Sequence, residues 1–164
     1  MQCSTNVQKS CPNFIVSLWR CQGGEDMRGI DREVRTMIST GEILTWDAVS
    51  DIHRVRHGIY QRNGRLISLL TDFGRINPCY PDAHGETTHT ILYTGNGRRG
   101  DQKLDAQNRA MLDAVSSALS VPLFNKLAPG RWKFMGHWRV AEGKYIFDEK
   151  QDRMVWKFTL IRVD

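Results

Sequence analysis

Apolar positions follow two different spacings along this chain. Residues 1–13 are polar and include Pro12, which reads as a tail. Phe14 to Trp19 is an apolar run of strand length. From Asp31 to Thr40, Val34, Met37 and Ile38 fall on one helical face, and Gly41 is a suitable stop, so a short helix is expected there. Ile43 to Val49 then leads towards Leu66-Ile67-Ser68-Leu69-Leu70, bounded by Asn63-Gly64, which reads as a central strand because it is short and apolar. Asp72 to Thr87 carries Gly74, Pro78, Pro81 and Gly85 in an irregular stretch. Loops of that length inside compact domains are more often functional than accidental.

Thr88 to Thr94 alternates as a strand and runs into Gly95-Asn96-Gly97-Arg98-Arg99-Gly100, a sharp turn. Asp101 is placed to cap a helix with Leu104, Met111, Val115 and Ala118 on one face, expected to be the longest in the protein. The remainder is β-rich: Val121 to Phe124, Trp132 to Val140, Lys144 to Phe147, and Met154 to Val163. In the last of these, Trp156, Phe158 and Leu160 alternate with Lys157 and Thr159. The pattern predicts an α+β fold on a strongly curved sheet or twisted β-barrel flanked by helices. Internal repeats and low-complexity tracts are absent. A chain of 164 residues, 40% hydrophobic, suits one domain over residues 14–164.

Charge sharpens this picture. The net charge of +5 and a pI near 9.2 fit a polyanionic partner, and equally a protein that binds none. Placement says more. Ile52 to Thr71 holds His53, Arg54, Arg56, His57, Arg62 and Arg65 with no acid, and Ala114 to Ala141 holds Lys126, Arg131, Lys133 and Arg139 with none. Two such segments can converge on one face that tracks a phosphate backbone, or remain two solvated surfaces. The four cysteines, Cys3, Cys11, Cys21 and Cys79, form no CxxC pair, so neither zinc nor any other metal is expected. With no secretory leader and no apolar run near the ~20 residues of a membrane span, a soluble intracellular protein with reduced thiols is expected.

Tyr93-Thr94-Gly95-Asn96-Gly97, followed by Asp101-Gln102-Lys103-Leu104 and Asn108-Arg109-Ala110, resembles the YTGxG, DQKL and NRA signature of SRA (SET- and RING-associated, or YDG) domains. Val155-Trp156-Lys157-Phe158-Thr159-Leu160 is similar to that family's closing strand, and Trp46, His53-Arg54 and Gly58 fit the approach to its first DNA-facing loop. The resemblance covers about residues 43–164, and three motifs in order make it fairly specific.

It implies a PUA-like barrel that flips a C5-modified cytosine, 5-methylcytosine or 5-hydroxymethylcytosine, out of double-stranded DNA into a pocket. An extruded cytosine needs aromatic faces to replace lost stacking, an acceptor for its N4 amino group and a close wall around C5. Tyr93 matches one aromatic face, with Thr94 beside it; Tyr80 is the candidate for the other and Asp82 for the carboxylate, with Asp72 as its rival. Left to the residues alone, Tyr93 reads as core and Tyr80-Pro81-Asp82 as a surface turn. Arg54, Arg56, His57, Gly95, Gly97, Arg98 and Arg99 are the candidate backbone and groove contacts. Arg54 to Gly58 is also placed to insert a side chain into the gap left by the base. The glycine turn before a helix N-terminus would cradle a phosphate while staying on the surface. Gln102, Asn108 and Arg109 are expected to hold the helix against the sheet.

Two departures from the family pattern bear on specificity. Only Arg98-Arg99-Gly100 separates YTGxG from DQKL, where many SRA domains carry a long basic finger that checks the opposite strand, and the YDG-like position reads Phe134-Met135-Gly136. The implied protein is a monomeric reader without catalytic residues or small-molecule cofactor, off the membrane, in the nucleus or, alternatively, the bacterial cytoplasm. Two other readings remain: the DNA-recognition part of a modification-dependent restriction nuclease, and a PUA-like RNA-binding module. Pro81-Asp82 with Glu142-Gly143-Lys144 superficially supplies a PD-(D/E)xK metal site, although Glu142-Gly143 reads equally well as a hairpin turn.

Overall fold

The computed structural model describes residues 38–163. The tail at 1–13, the strand at 14–19 and most of the helix at 31–40 lie outside them. Residues 38–40 are irregular or turn rather than a last helical turn. The elements are β1 (Ile43–Leu44), α1 (Trp46–Ser50), β2 (Ile59–Arg62), β3 (Arg65–Thr71), β4 (Ala83–His84), β5 (Thr90–Thr94), α2 (Ala106–Ser117), β6 (Ser120–Ala128), β7 (Arg131–Asp148) and β8 (Arg153–Arg162).

The strands form one sheet in the order β2-β3-β6-β7-β8-β5-β4, with β1 added on β7. Asn63 and Gly64, at φ of 52° and 76°, make the left-handed two-residue turn that joins β2 to β3. Beyond it β3 pairs with β6 in parallel, and the other neighbours are antiparallel. Leu69 and Leu123 join one core cluster, with Ile91, Met111, Trp138 and Phe158. Leu70 and Phe124, the next residues along, join the other, with Leu44, Val49, Trp132 and Phe134. The β3–β6 pair is therefore covered on both faces, which is why Leu66, Ile67, Leu69 and Leu70 crowd around a buried Ser68 instead of alternating with exposed polar residues.

The structure corrects two elements. The strands expected at 132–140 and 144–147 are one strand, and Glu142-Gly143 lies within it at a register shift against β8. A bulge absorbs the extra residue without ending the pairing, so no hairpin turn forms there. The helix cap is Asp105, whose Oδ1 accepts from Asn108 N at 2.9 Å, and not Asp101. Asp101 instead accepts from Met154 N at 2.8 Å, and Gln102 N donates to Met154 O at 2.9 Å. The segment before the helix is thus tied to β8, and Leu104 is left half-exposed outside α2.

Gly143 tests the continuity of β7. A Cβ there would sit 2.7 Å from Leu112 Cδ2 and 2.8 Å from Phe158 Cε1. Gly143→Ala should cost about 1–3 kcal/mol by overpacking, read as a lower urea midpoint; an unchanged midpoint would contradict this packing.

Candidate nucleic-acid interface

A cavity of about 280 Å³ opens at the carboxyl ends of β3 and β5. That is near the lower end of small-molecule sites, which run from roughly 300 Å³ upward, and suits one base. Tyr80, Asp82, Tyr93 and Thr94 all line it, as do Asp72, Arg56, His57 and Arg98.

Asp82 is buried where the strand ends converge. Its Oδ2 accepts from the Thr71 hydroxyl and its Oδ1 from Thr94 N, both at 2.7 Å. Burial pushes its carboxyl up to about 6, against the pull of the Thr71 hydroxyl, the Thr94 amide and the Lys157 ammonium. Lys157 Nζ donates to Thr94 Oγ1 at 2.8 Å and to Pro81 O at 3.1 Å, and burial in turn lowers the lysine's pKa. Asp72, the rival carboxylate, folds its own loop: Oδ1 accepts from Gly74 N at 2.8 Å and Oδ2 from Asn77 N and Nδ2 at 3.0 Å each. Of the two, only Asp82 ties the ends of β3 and β5 together.

Tyr93 is both core and cavity wall. It is 2% exposed, packs in the main core cluster and donates its hydroxyl to Leu70 O at 2.9 Å. Gly58 lets the basic loop close over it, since a Cβ there would lie 2.6 Å from the Tyr93 hydroxyl. Tyr80 is half-buried on the loop between β3 and β4. Burial raises its phenol pKa. That loop is held by Arg153, which donates to Cys79 O at 2.7 Å, Gly97 O at 2.8 Å and Gly100 O at 3.1 Å. Sequence reasoning missed Arg153. The available signal was a charge two residues before Val155 on the closing strand, at a position that turns out to be buried.

The glycine turn is built differently from expectation. Gly95 is buried and donates to Trp156 O at 2.8 Å, so it is not a surface residue. Gln102 Nε2 donates to Gly95 O at 2.7 Å, while Asn108 accepts from Asn96 N at 2.7 Å and donates to Asn96 O at 2.9 Å. Gln102 and Asn108 thus shape the turn and also tie the helix segment to the sheet, Gln102 Oε1 accepting from Trp156 N of β8 at 2.8 Å, whereas Arg109 is exposed. The helix N-terminus does not complete a phosphate cradle, because residues 101–105 separate it from the turn and Asp105 already caps it. Arg98 and Arg99 remain exposed beside the cavity mouth and after it.

In the basic loop Arg54, Arg56 and His57 are exposed, but His53 is fully buried. Its Nε2 lies 2.8 Å from His57 O and its Nδ1 2.8 Å from Ser68 Oγ. A carbonyl only accepts, so Nε2 carries the proton and Ser68 donates to Nδ1. Burial lowers its pKa to about 4, so His53 is a neutral brace of the loop and adds no charge to the basic face. Arg56 and Lys126, from the two acid-free segments, do converge on the one cavity. The nuclease pattern does not assemble as a metal site. Glu142 pairs with Lys144 at 2.8 Å on the surface, and no cluster of three His, Cys, Asp or Glu that could hold a metal occurs among the described residues.

A curved eight-stranded sheet flanked by helices is the PUA-like architecture of SRA domains. The family model described as "ScoMcrA-like, SRA domain" matches residues 52–164, and the chain belongs to that family. Solved structures with this fold include the SRA domain of SUVH5 in complex with hemimethylated CG DNA, at 22% identity, TM-score 0.65, covering 77% of this chain and 89% of that one. The same domain bound to fully hydroxymethylated CG DNA matches at 21% identity and TM-score 0.62, covering 78% and 91%. The modification-dependent restriction endonuclease TagI matches at 17% identity and TM-score 0.63, over 78% of this chain and 50% of that one. No curated protein matches the sequence.

Asp82 and His53 push the pH dependence of stability in opposite directions. The folded state raises the Asp82 pKa from 3.8 to about 6, so stability from this group falls as pH rises through that window. It lowers the His53 pKa from 6.5 to about 4, so stability from that group falls as pH drops from 6.5 towards 4. Asp82→Asn removes the first effect and can keep the bond from Thr94 N. The variant should be more stable than the native protein at pH 7 by roughly 1–3 kcal/mol, and should lose stability steeply below pH 6.5. Denaturant midpoints at pH 7 and pH 4.5 check both signs.

Proposed function

We propose that this domain reads a C5-modified cytosine in double-stranded DNA by extruding the base into the cavity bounded by Tyr80, Asp82, Tyr93 and Thr94, with no chemical step of its own. The observation that carries this reading is Asp82: a buried carboxylate, flanked by two tyrosines, on the wall of a cavity sized for one base. Cytosine presents an N4 donor to such an acceptor, whereas thymine presents O4 and is repelled. The distinction matters because thymine also carries a methyl at C5. Tyr80 and Tyr93 supply faces for stacking, and exposed Arg54, Arg56, His57, Arg98 and Arg99 supply the phosphate-facing rim. Gly95 and Gly97 shape the turn that carries Arg98 and Arg99.

A second reading is favoured by one match. The fold occupies half of TagI, so the domain also suits the recognition part of a modification-dependent nuclease, acting in a bacterial cytoplasm rather than a nucleus. Cleavage of modified duplex by the protein with magnesium would establish it, and competition by structured RNA would expose a PUA-like RNA binder.

Affinities for unmodified, methylated and hydroxymethylated duplexes test the base reading. Asp82→Asn and Tyr80→Ala should each lose about 1–3 kcal/mol at the modified site. Non-specific binding should change little, because it depends on phosphates, and Tyr80→Phe should be mild. A 2-aminopurine beside the modified cytosine should brighten on binding as its stacking neighbour leaves. Tight, modification-selective binding with that signal still quenched would mean that the base is read inside the helix.

The strand check gives a separate expectation. Arg98-Arg99-Gly100 is too short to cross the major groove, so hemimodified and fully modified sites should bind within about tenfold of each other, ~1.4 kcal/mol. A much larger preference for the hemimodified site would assign the check to another segment.

A further inference from the structure

Four side chains from four parts of the fold lie in a row beside the base cavity, the two indoles tilted at 46° to each other. The Arg56 guanidinium lies 5.2 Å from the ring centroid of Trp46, the Trp46 and Trp132 centroids are 5.4 Å apart, and the Lys126 ammonium lies 5.6 Å from the Trp132 centroid. Arg56 comes from the loop after α1, Trp46 from α1, Trp132 from β7 and Lys126 from β6, where Lys126 and Trp132 are cross-strand partners. Both indoles pack into the second core cluster, so the middle of the stack is fixed. Arg56, Trp132 and Lys126 all line the cavity that holds Asp82. Among the described residues, neither cation forms an ion pair.

A flexible cation beside a buried carboxylate tends to fold inward and neutralise it. An indole face holds a cation by its quadrupole without cancelling its charge, and most strongly where water is partly excluded. The stack therefore keeps two full positive charges on the cavity rim, both available to anions from outside. Extruding a base costs a few kcal/mol of unstacking and unpairing. It also swings the sugar towards the protein, bringing the phosphates on its two sides to the rim.

We propose that the Arg56-Trp46-Trp132-Lys126 stack is a phosphodiester clamp, whose two cations hold the phosphates on either side of the nucleotide whose base enters the cavity. It rests on the base extrusion proposed above, and it adds Trp46, Trp132 and Lys126 to the binding residues. The ligand is the phosphodiester itself, so the clamp is indifferent to sequence and acts only where a nucleotide is extruded.

Neutral methylphosphonates test it. Duplexes carrying one 5-methylcytosine are prepared with the phosphate on its 5′ or its 3′ side replaced, and each is titrated against the wild type, Arg56→Gln and Lys126→Gln. The wild type should lose about tenfold, or 1.4 kcal/mol, at each replaced position. Each variant should bind the all-phosphate duplex about tenfold more weakly. Each should be indifferent to replacement of the phosphate its own side chain held, yet still lose affinity when the other is replaced. Trp46→Leu, which frees Arg56 from its ring, should become insensitive at the same phosphate as Arg56→Gln. If both glutamine variants keep the full loss at both positions, or the wild type loses nothing at either, the clamp is wrong. A bright 2-aminopurine in those same complexes would leave base extrusion standing. A quenched one would overturn extrusion and the clamp with it.

Discussion

A carboxylate held away from water at the meeting of two strand ends constrains everything around it. Burying Asp82 is unfavourable unless donors reach it. They come from Thr71 at the end of β3 and Thr94 at the end of β5, with Lys157 of β8 behind. Satisfying one acid therefore fixes the relative position of three strands. The same strand ends set the cavity floor, because Tyr93 precedes Thr94 and its hydroxyl reaches Leu70 O, next to Thr71. On the proposed reading, the acid that meets the base edge and the geometry that presents it are one arrangement.

The loops around the cavity obey a second constraint. Irregular backbone inside a fold leaves carbonyls without ladder partners, and buried carbonyls need donors. Here long polar side chains supply them: Arg153 to Cys79, Gly97 and Gly100, Gln102 to Gly95, Asn108 to Asn96, and His53 to His57. The bonds from Arg153, Gln102 and Asn108 join a loop to a separate segment of the fold, and that from His53 braces its own loop. The cavity wall is thereby pre-formed, which spares a ligand part of the ordering cost of binding.

Much of the sheet was legible in the sequence because burial has a period. Trp156 to Leu160 carries that signal, Leu66 to Leu70 was legible as a short apolar run between turn residues, and the YTGxG, DQKL and NRA strings carried the family. The errors fall where a polar residue serves the tertiary structure instead of its local segment. Asp101 is a good cap by type, yet β8 takes its carboxylate and Asp105 caps the helix. Glu142-Gly143 is a good turn by type, yet the bulge continues the strand. His53 counts as a base in a charge tally, yet burial makes it neutral. Arg153 and Lys126 were visible only as charges on strands. What they bond or stack against depends on residues some six to seventy-four positions away, a separation that periodicity does not encode.

The energetic cost of the site is placed in one residue. At neutral pH Asp82 is ionised in surroundings that favour its protonated form, so the fold is less stable there than it would be with a neutral amide. A core chosen for stability alone would not keep that charge; on the proposed reading the carboxylate keeps it for an incoming donor. The aromatic stack beside the cavity follows the same logic with the opposite sign: Arg56 and Lys126 lie over indole rings, and neither forms an ion pair among the described residues. On the proposed reading, base and backbone are met by charges that the fold has only partly compensated. Each becomes worth its cost only when DNA supplies the missing partner.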